Sequence, residues 1–151
     1  MSLNRSVIGY ESPAVSLLIT RSRLRHFAKA TGQLDPIYTD LTAAGQAGHP
    51  DLPVPPTFLF GIELETPNPF AFLEDLGIDL RTVLHGEQQF DYHRMAYAGD
   101  ELTATSWITD LYDKKGGLLE FLVRETVVTN SDGDRVADLR NVTVVQNEDA
   151  S

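Results

Sequence analysis

From Thr82 to Val145 the chain is written almost entirely in period-two runs, and these runs limit what it can fold into. Leu84, Gln88, Phe90 and Tyr92 share one strand face by even spacing, and Ala98–Asp100 (AGD) supplies a turn. Leu102, Ala104, Ser106 and Ile108 alternate next, ending at the KKGG of Lys114–Gly117. Leu119, Phe121, Val123 and Val127 form a third run, and the SDGD of Ser131–Asp134 joins it to a fourth, Val136–Val145. Alternation interrupted by short Gly-containing turns is the pattern of consecutive antiparallel strands. Such a sheet has two faces, and something earlier in the chain must cover one of them.

The first part of the sequence supplies helices. Ala14–Thr20 (AVSLLIT) reads as a short strand or extended lead-in, and Thr20 or Ser22 can cap the helix that follows. In RSRLRHFAKATG, Leu24, Phe27, Ala28 and Thr31 fall on one helical face, and Gly32 is a C-terminal stop. Pro36 forbids continuation. Residues 39–56 read as an ordered, Gly- and Pro-rich overhang. In TFLFGIELETPNPFAFLEDLGIDL, Phe58, Ile62, Phe70, Leu73 and Leu76 keep helical spacing while Pro67 and Pro69 interrupt it. Two helical pieces are expected, the first apolar enough to be buried. The order is α+β, and the final NEDAS reads as a frayed tail.

Composition narrows the functional classes. A chain of 151 residues with 42% hydrophobic content is expected to form one domain, spanning residues 1–151, with a real core. The formal charge is −10 and the few Lys and Arg read as scattered, so nucleic acid is not an expected partner. Without cysteine there is no disulfide, thiolate nucleophile or Cys-based zinc site. The N-terminus lacks a signal-peptide core and no apolar run is long enough for a membrane span, so a cytoplasmic protein is expected.

Chemistry-bearing residues are few. His26 reads as a surface residue, and His49 has no evident partner. His85 and His93 share a face of one strand if that strand is regular, together with Glu87, Gln89 and Asp91, a face most simply solvated. No helical histidine pair suggests a metal. The sequence contains no G-x-S-x-G elbow, no GxGxxG and no GxxxxGK[ST]. What remains is TGQLDPIYTD, Thr31–Asp40, in which Asp35 before Pro36 is an ordinary turn residue on pattern alone.

Taken with FAKATGQLDPIYTD, VPPTFLFGIE, VLHGEQQFDYHRMAYAGDELTATSWITDLYDKKGG and VVTNSDGDRVA, the chain resembles the MaoC-like dehydratases of the hot-dog superfamily over about Gly9–Gln146. More narrowly it is similar to the N-terminal, FAS1-like dehydratase type of half-domain. The resemblance implies a long antiparallel sheet wrapped around a central α-helix, here around Thr57–Glu65, and an oligomer of one hot dog per chain. It also implies an acyl-CoA or acyl-carrier thioester as substrate, with no cofactor. The thioester carbonyl would meet backbone N–H groups near Pro56, Thr57 and Phe58, and Phe58, Phe60, Phe70 and Phe72 would contribute pocket walls.

Active members carry D-x-N-P-x-H on the loop after the first helix. Laid onto this chain, Gln33 stands at the Asp position, Asp35 at the Asn position and Tyr38 at the His position, and Pro36 is retained. A glutamine amide is no base near neutral pH, and tyrosine is a poor one. The resemblance therefore implies a hydratase or dehydratase subunit that takes its catalytic Asp and His from a second, intact MaoC-like chain. Two alternatives stand beside it. One is a self-sufficient thioesterase using Asp35, with Tyr38 as its partner and His85 in reserve. The other is a non-catalytic acyl-binding module. The chain's acidity weighs slightly against an acidic carrier protein.

Overall fold

The computed structural model describes residues 3–147, so all of the NEDAS tail except Asn147 lies outside the described residues. Five antiparallel strands form one sheet: β1 (Glu11–Leu18), β2 (Val83–Tyr92), β3 (Glu101–Lys114), β4 (Leu119–Thr129) and β5 (Arg135–Gln146). Their spatial order is β1-β3-β4-β5-β2, and the sheet wraps around the helical segments. The strand β1 is the first of the two alternatives read for the lead-in, with different bounds. The apolar lead-in begins at Glu11, not Ala14, and pairs along β3 from Glu11↔Trp107 to Leu18↔Glu101. An edge strand of mixed polarity carries a weak alternation signal, because only one face and one edge are covered.

Helix α1 (Arg21–Thr31) begins on Thr20, whose hydroxyl accepts from Arg23 N, and ends at Gly32 with φ 70°. Leu24 and Ala28 are buried as the periodicity predicts. Thr31 is instead exposed, its hydroxyl donating to the Phe27 carbonyl (2.8 Å). The helix gathers four of the chain's twelve Lys and Arg, so these cations are not scattered. They do not make a free basic face either. Arg21 pairs with Asp51 (2.7 Å), Arg23 pairs with Glu65, and Arg25 donates to the Thr39 carbonyl (2.9 Å). The overhang holds the short helix α2 (Leu41–Gln46) and buries Leu52 and Val54. Backbone bonds Val54 N to Ala96 O and Ala98 N to Leu52 O fix it in place (both 2.9 Å). His49 does have a partner there: its Nδ1 lies 3.3 Å from the Tyr97 hydroxyl.

The central segment, Phe58–Leu64, sits where the sequence places it, with Phe58, Leu59 and Ile62 buried, but it is 3₁₀ rather than α-helical. Its length explains this. Pro55 and Pro56 precede it, Gly61 interrupts it, and Pro67 and Pro69 follow, leaving seven residues, a short stretch in which 3₁₀ geometry closes each turn with fewer residues. The second helical piece is α3 (Ala71–Asp75).

Two strands differ in parity from the sequence reading. On β4 the set Leu119, Phe121, Val123 and Val127 faces away from the central segment. The inward set is Leu122 and Val128 together with Arg124 and Thr126. On β2 the register shifts between His85 and Glu87, so Gly86 is an extra residue. A Cβ there would lie 2.8 Å from Val144 Cγ2 and 3.0 Å from the Val142 carbonyl oxygen, which only glycine avoids. Beyond the bulge, His85 shares the inner face with Gln88 and Phe90, while Glu87, Gln89 and Asp91 face out and Leu84 is exposed. His93 lies past the end of β2, with Nε2 2.7 Å from Asp138 Oδ2. The expected common face of His85 and His93 therefore does not exist.

The inner face is not uniformly apolar. One cluster holds Leu102, Ala104, Val128 and Leu139 under α1 and the central segment. A second holds Ile108, Leu111, Leu122 and Val145 under α3. Between them a polar belt crosses the sheet through the paired positions Ser106↔Thr126, Arg124↔Asn141 and Asn141↔Gln88. Glu63 descends into it from the central segment. Its Oε1 accepts from Ser106 Oγ and from Thr126 Oγ1 (2.6 Å), and it pairs with Arg124 Nη2 (2.7 Å). Shared hydrogen bonds are what let a carboxylate and a guanidinium sit this deep.

Candidate active-site cleft

The loop after α1 is built by its own polar side chains. Gln33 N donates back to the Ala28 carbonyl (2.9 Å), and Gln33 Oε1 accepts from Asp35 N (3.2 Å). Asp35 Oδ1 accepts from Ile37 N (3.1 Å) and so caps the 3₁₀ turn Pro36–Tyr38, with Pro36 in its first position. Asp40 repeats the device for α2, accepting from Thr42 N (2.7 Å). Leu34 at the loop tip is 91% exposed. The two acidic groups of this loop are thus engaged with backbone amides of their own turns.

Tyr38 stands half-buried at the end of that turn, close enough to Tyr92 to bear on its titration. Tyr92 was read as an ordinary strand residue, yet it joins the site. Its hydroxyl donates to the Pro56 carbonyl (2.8 Å), linking β2 to the start of the central segment. Burial around the phenol, and then Tyr38, push its pKa up to about 12. It is therefore a neutral donor at any physiological pH. At the same point Phe58 N donates to the Pro55 carbonyl (3.1 Å), so this amide is engaged within the turn rather than free for a thioester carbonyl. Thr57, which precedes the segment, makes no side-chain capping bond.

Three cavities meet at Phe60. The largest, about 780 Å³, lies between α1 and the central segment, with Phe27 set edge-on to Phe58 (centroids 5.4 Å apart) and His26 on its rim. A vestibule of about 390 Å³ is lined by Phe27, Thr57, Phe60, His85, Gln88 and Phe90. Beyond it lies a chamber of about 350 Å³. His85 and Phe60 pack edge to face (5.4 Å) between the last two. Of the residues singled out from the sequence, Thr57 and His85 share the vestibule, Phe58 lines the large groove, and Pro56 is bonded to Tyr92, on whose titration Tyr38 bears. Gln33 and Asp35 line none of the three. Phe60, Phe70 and Phe72 all line the inner chamber. Gln88 and Phe90 were missed as site residues. Counting back in twos from Tyr92 would have found them.

Among the described residues no group of three or more His, Asp or Glu is disposed to hold a metal ion. No helix among them is long and apolar enough to cross a membrane.

Residues 6–139 match the family described as FAS1-like, dehydratase domain region. The chain is 39% identical over 117 residues to a UPF0336 protein of Streptomyces coelicolor, covering 77% of this chain and 78% of that one. It is 35% identical over 151 residues to a UPF0336 protein of Clavibacter michiganensis, covering 99% and 100%. A solved structure described as a MaoC-like dehydratase superposes with TM-score 0.82 at 25% identity, over 95% of this chain and 43% of that one. The C-terminally truncated HadBC complex of Mycobacterium tuberculosis, a 3R-hydroxyacyl-ACP dehydratase, gives 0.76 at 23%, over 91% and 96%. The ChsH1-ChsH2 complex of the same organism gives 0.74 at 20%, over 93% and 86%. The fold is that of the hot-dog, MaoC-like dehydratases.

Proposed function

The chain belongs to the FAS1-like dehydratase domain family, and on that premise we propose that it is one hot-dog subunit of a hydro-lyase acting on enoyl or 3-hydroxyacyl thioesters, completed by a second chain that carries the catalytic Asp and His. The observation that carries this reading is the contrast between the loop and the cleft beside it. At the two dyad positions stand Gln33, which closes a turn, and Tyr38, near enough to Tyr92 to raise its pKa. The adjoining cavities are walled by Phe27, Phe58, Phe60 and Phe90, the surface an acyl chain requires. Two of the similar structures are themselves two-chain complexes.

In this reading the partner's base takes a proton from water as the water oxygen attacks the β-carbon. The partner's acid then delivers a proton to the α-carbon. This chain's part is to seat the acyl group, exclude water from it, and present the Tyr38 hydroxyl beside the reacting end, while Tyr92, bonded to the Pro56 carbonyl, holds β2 against the start of the central segment. A thioesterase working through Asp35 fits less well, because one oxygen of that carboxylate already accepts from Ile37 N and the side chain lines none of the cavities.

The deciding assay is hydration of crotonyl-CoA by the pure chain, alone and mixed with a MaoC-type chain bearing intact Asp and His, with native mass measurement of both samples. Turnover only in the mixture, with a mixed oligomer, is the expected result. Robust hydration by the chain alone overturns the reading. Saturable binding that never turns over with any partner favours a binding module instead.

A further inference from the structure

The chamber behind Phe60 and His85 has a feature that a plain hydrocarbon does not call for. Its walls are apolar, from Leu64, Phe70, Phe72 and Leu84 among others, but the polar belt forms its floor through Arg124, Asn141 and Thr143. Arg124 lies over the Phe72 ring (4.3 Å) and pairs with Glu63 through Nη2. Its buried Nε has no hydrogen-bond partner among the described residues. Thr143 Oγ1 donates to Asn141 Oδ1 (2.9 Å), and Asn141 Nδ2 donates to Gln88 Oε1 (3.1 Å). That leaves Asn141 one N–H and one acceptor site, and Thr143 its acceptor sites, beyond these bonds. Because Gln88 lines the vestibule, the hydrogen-bond chain runs from one compartment to the other.

The chamber is also where exposed apolar surface collects. Phe60, Leu64, Phe70 and Leu84 all line it, and they make up four of the ten large apolar side chains that stand exposed among the described residues. An apolar lining around a few convergent polar groups is the arrangement of a ligand site. Covering those groups with methylene would remove their water and return nothing. Since Phe60 and His85 line both compartments, the chamber adjoins the vestibule across this pair of packed rings.

We infer that the chamber binds the distal part of an acyl chain carrying an oxygen function, a hydroxyl, keto or ether group, and that Asn141 and Arg124 hydrogen-bond that oxygen. The inference rests on the acyl-thioester reading above and adds the substrate class to it: an oxygenated chain rather than a plain alkyl one. Asn141 is the specificity-determining residue.

The test is calorimetric titration of the full chain with a medium-chain alkanoyl-CoA and with the same chain bearing one hydroxyl at each position in turn. The corresponding free acids are run alongside. At one position or a short run of positions, the hydroxylated ligand is expected to bind about tenfold more tightly than the plain one. Asn141→Leu is expected to erase that preference and leave plain-chain affinity equal or higher, with Thr143→Val as a milder second variant should Asn141→Leu unfold. Equal affinity for plain and hydroxylated chains at every position overturns the inference while the acyl-thioester reading stands. Should no CoA thioester bind, that reading fails, and the free acids decide the chamber alone: a hydroxyl preference sensitive to Asn141 supports it, and its absence overturns it.

Discussion

The loop Thr31–Asp40 and the belt through Glu63 and Arg124 hold comparable polar groups under opposite conditions. In the loop each group acts on a neighbour within a few residues and shapes a turn at the surface. In the belt, groups up to 63 residues apart meet in the interior and depend on the whole sheet for their partners. The difference teaches what a polar group can do with near neighbours and what it can do only inside a folded sheet. Local capping fixes the loop's shape without a base, whereas the interior retains a charge and amides that only a folded sheet can hold.

Breaking the belt should have the largest effect. Glu63→Ala leaves Arg124 buried without its counter-ion and should lower unfolding free energy by about 3–5 kcal/mol in urea titrations. The pair replaced together, Glu63→Leu with Arg124→Met, should recover most of that loss, since packed apolar groups can stand in for a buried ion pair. Gly86→Ala comes next, at about 1–3 kcal/mol, because its Cβ meets Val144 and the Val142 carbonyl. On the loop, Asp35→Ala should cost about 1 kcal/mol and Asp35→Asn almost nothing, since asparagine caps as well. Turnover by a reconstituted two-chain enzyme should be the same with Asp35→Asn, and its loss would make this loop catalytic after all.

An effect as modest as that of Asp35→Ala lies between the two regions, at Tyr92. With its pKa raised from 10.0 to about 12, the folded state holds the phenol proton more tightly than the unfolded state does. The associated stability is complete below about pH 10 and is lost as pH rises toward 12. Tyr92→Phe should flatten that alkaline decline in thermal melts, and near neutral pH it should remove about 1 kcal/mol with the bond to Pro56.

Much of the fold was legible because its signals are local. The Gly99, Gly116, Gly117 and Gly133 turns carry positive φ as their sequences demand, and Thr20, Gly32 and the alternation from Leu102 to Ile108 behave as read. The assignment of Gln33 and Tyr38 to dyad positions rests on the resemblance alone. The belt was not legible, because Arg124 and Thr126 occupy inward positions that hydrophobicity alone assigns to their apolar neighbours Val123 and Val127. The Glu63 carboxylate, 63 residues from Thr126 in the chain, makes those inward positions tenable. The central 3₁₀ segment and the role of Tyr92 likewise depend on contacts made after the chain has folded.

Gly86 has a consequence beyond its tight fit. His85 and Glu87 already face the consecutive partners Thr143 and Val142, so without Gly86 both faces of β2 would keep the side chains they have now. The residue is a silent letter: a count in twos along the sequence registers it, and the sheet passes over it. A chain lacking Gly86 should thus keep its inner and outer surfaces and lose only the local bend, whereas any larger residue at the same place is an error the strand cannot skip.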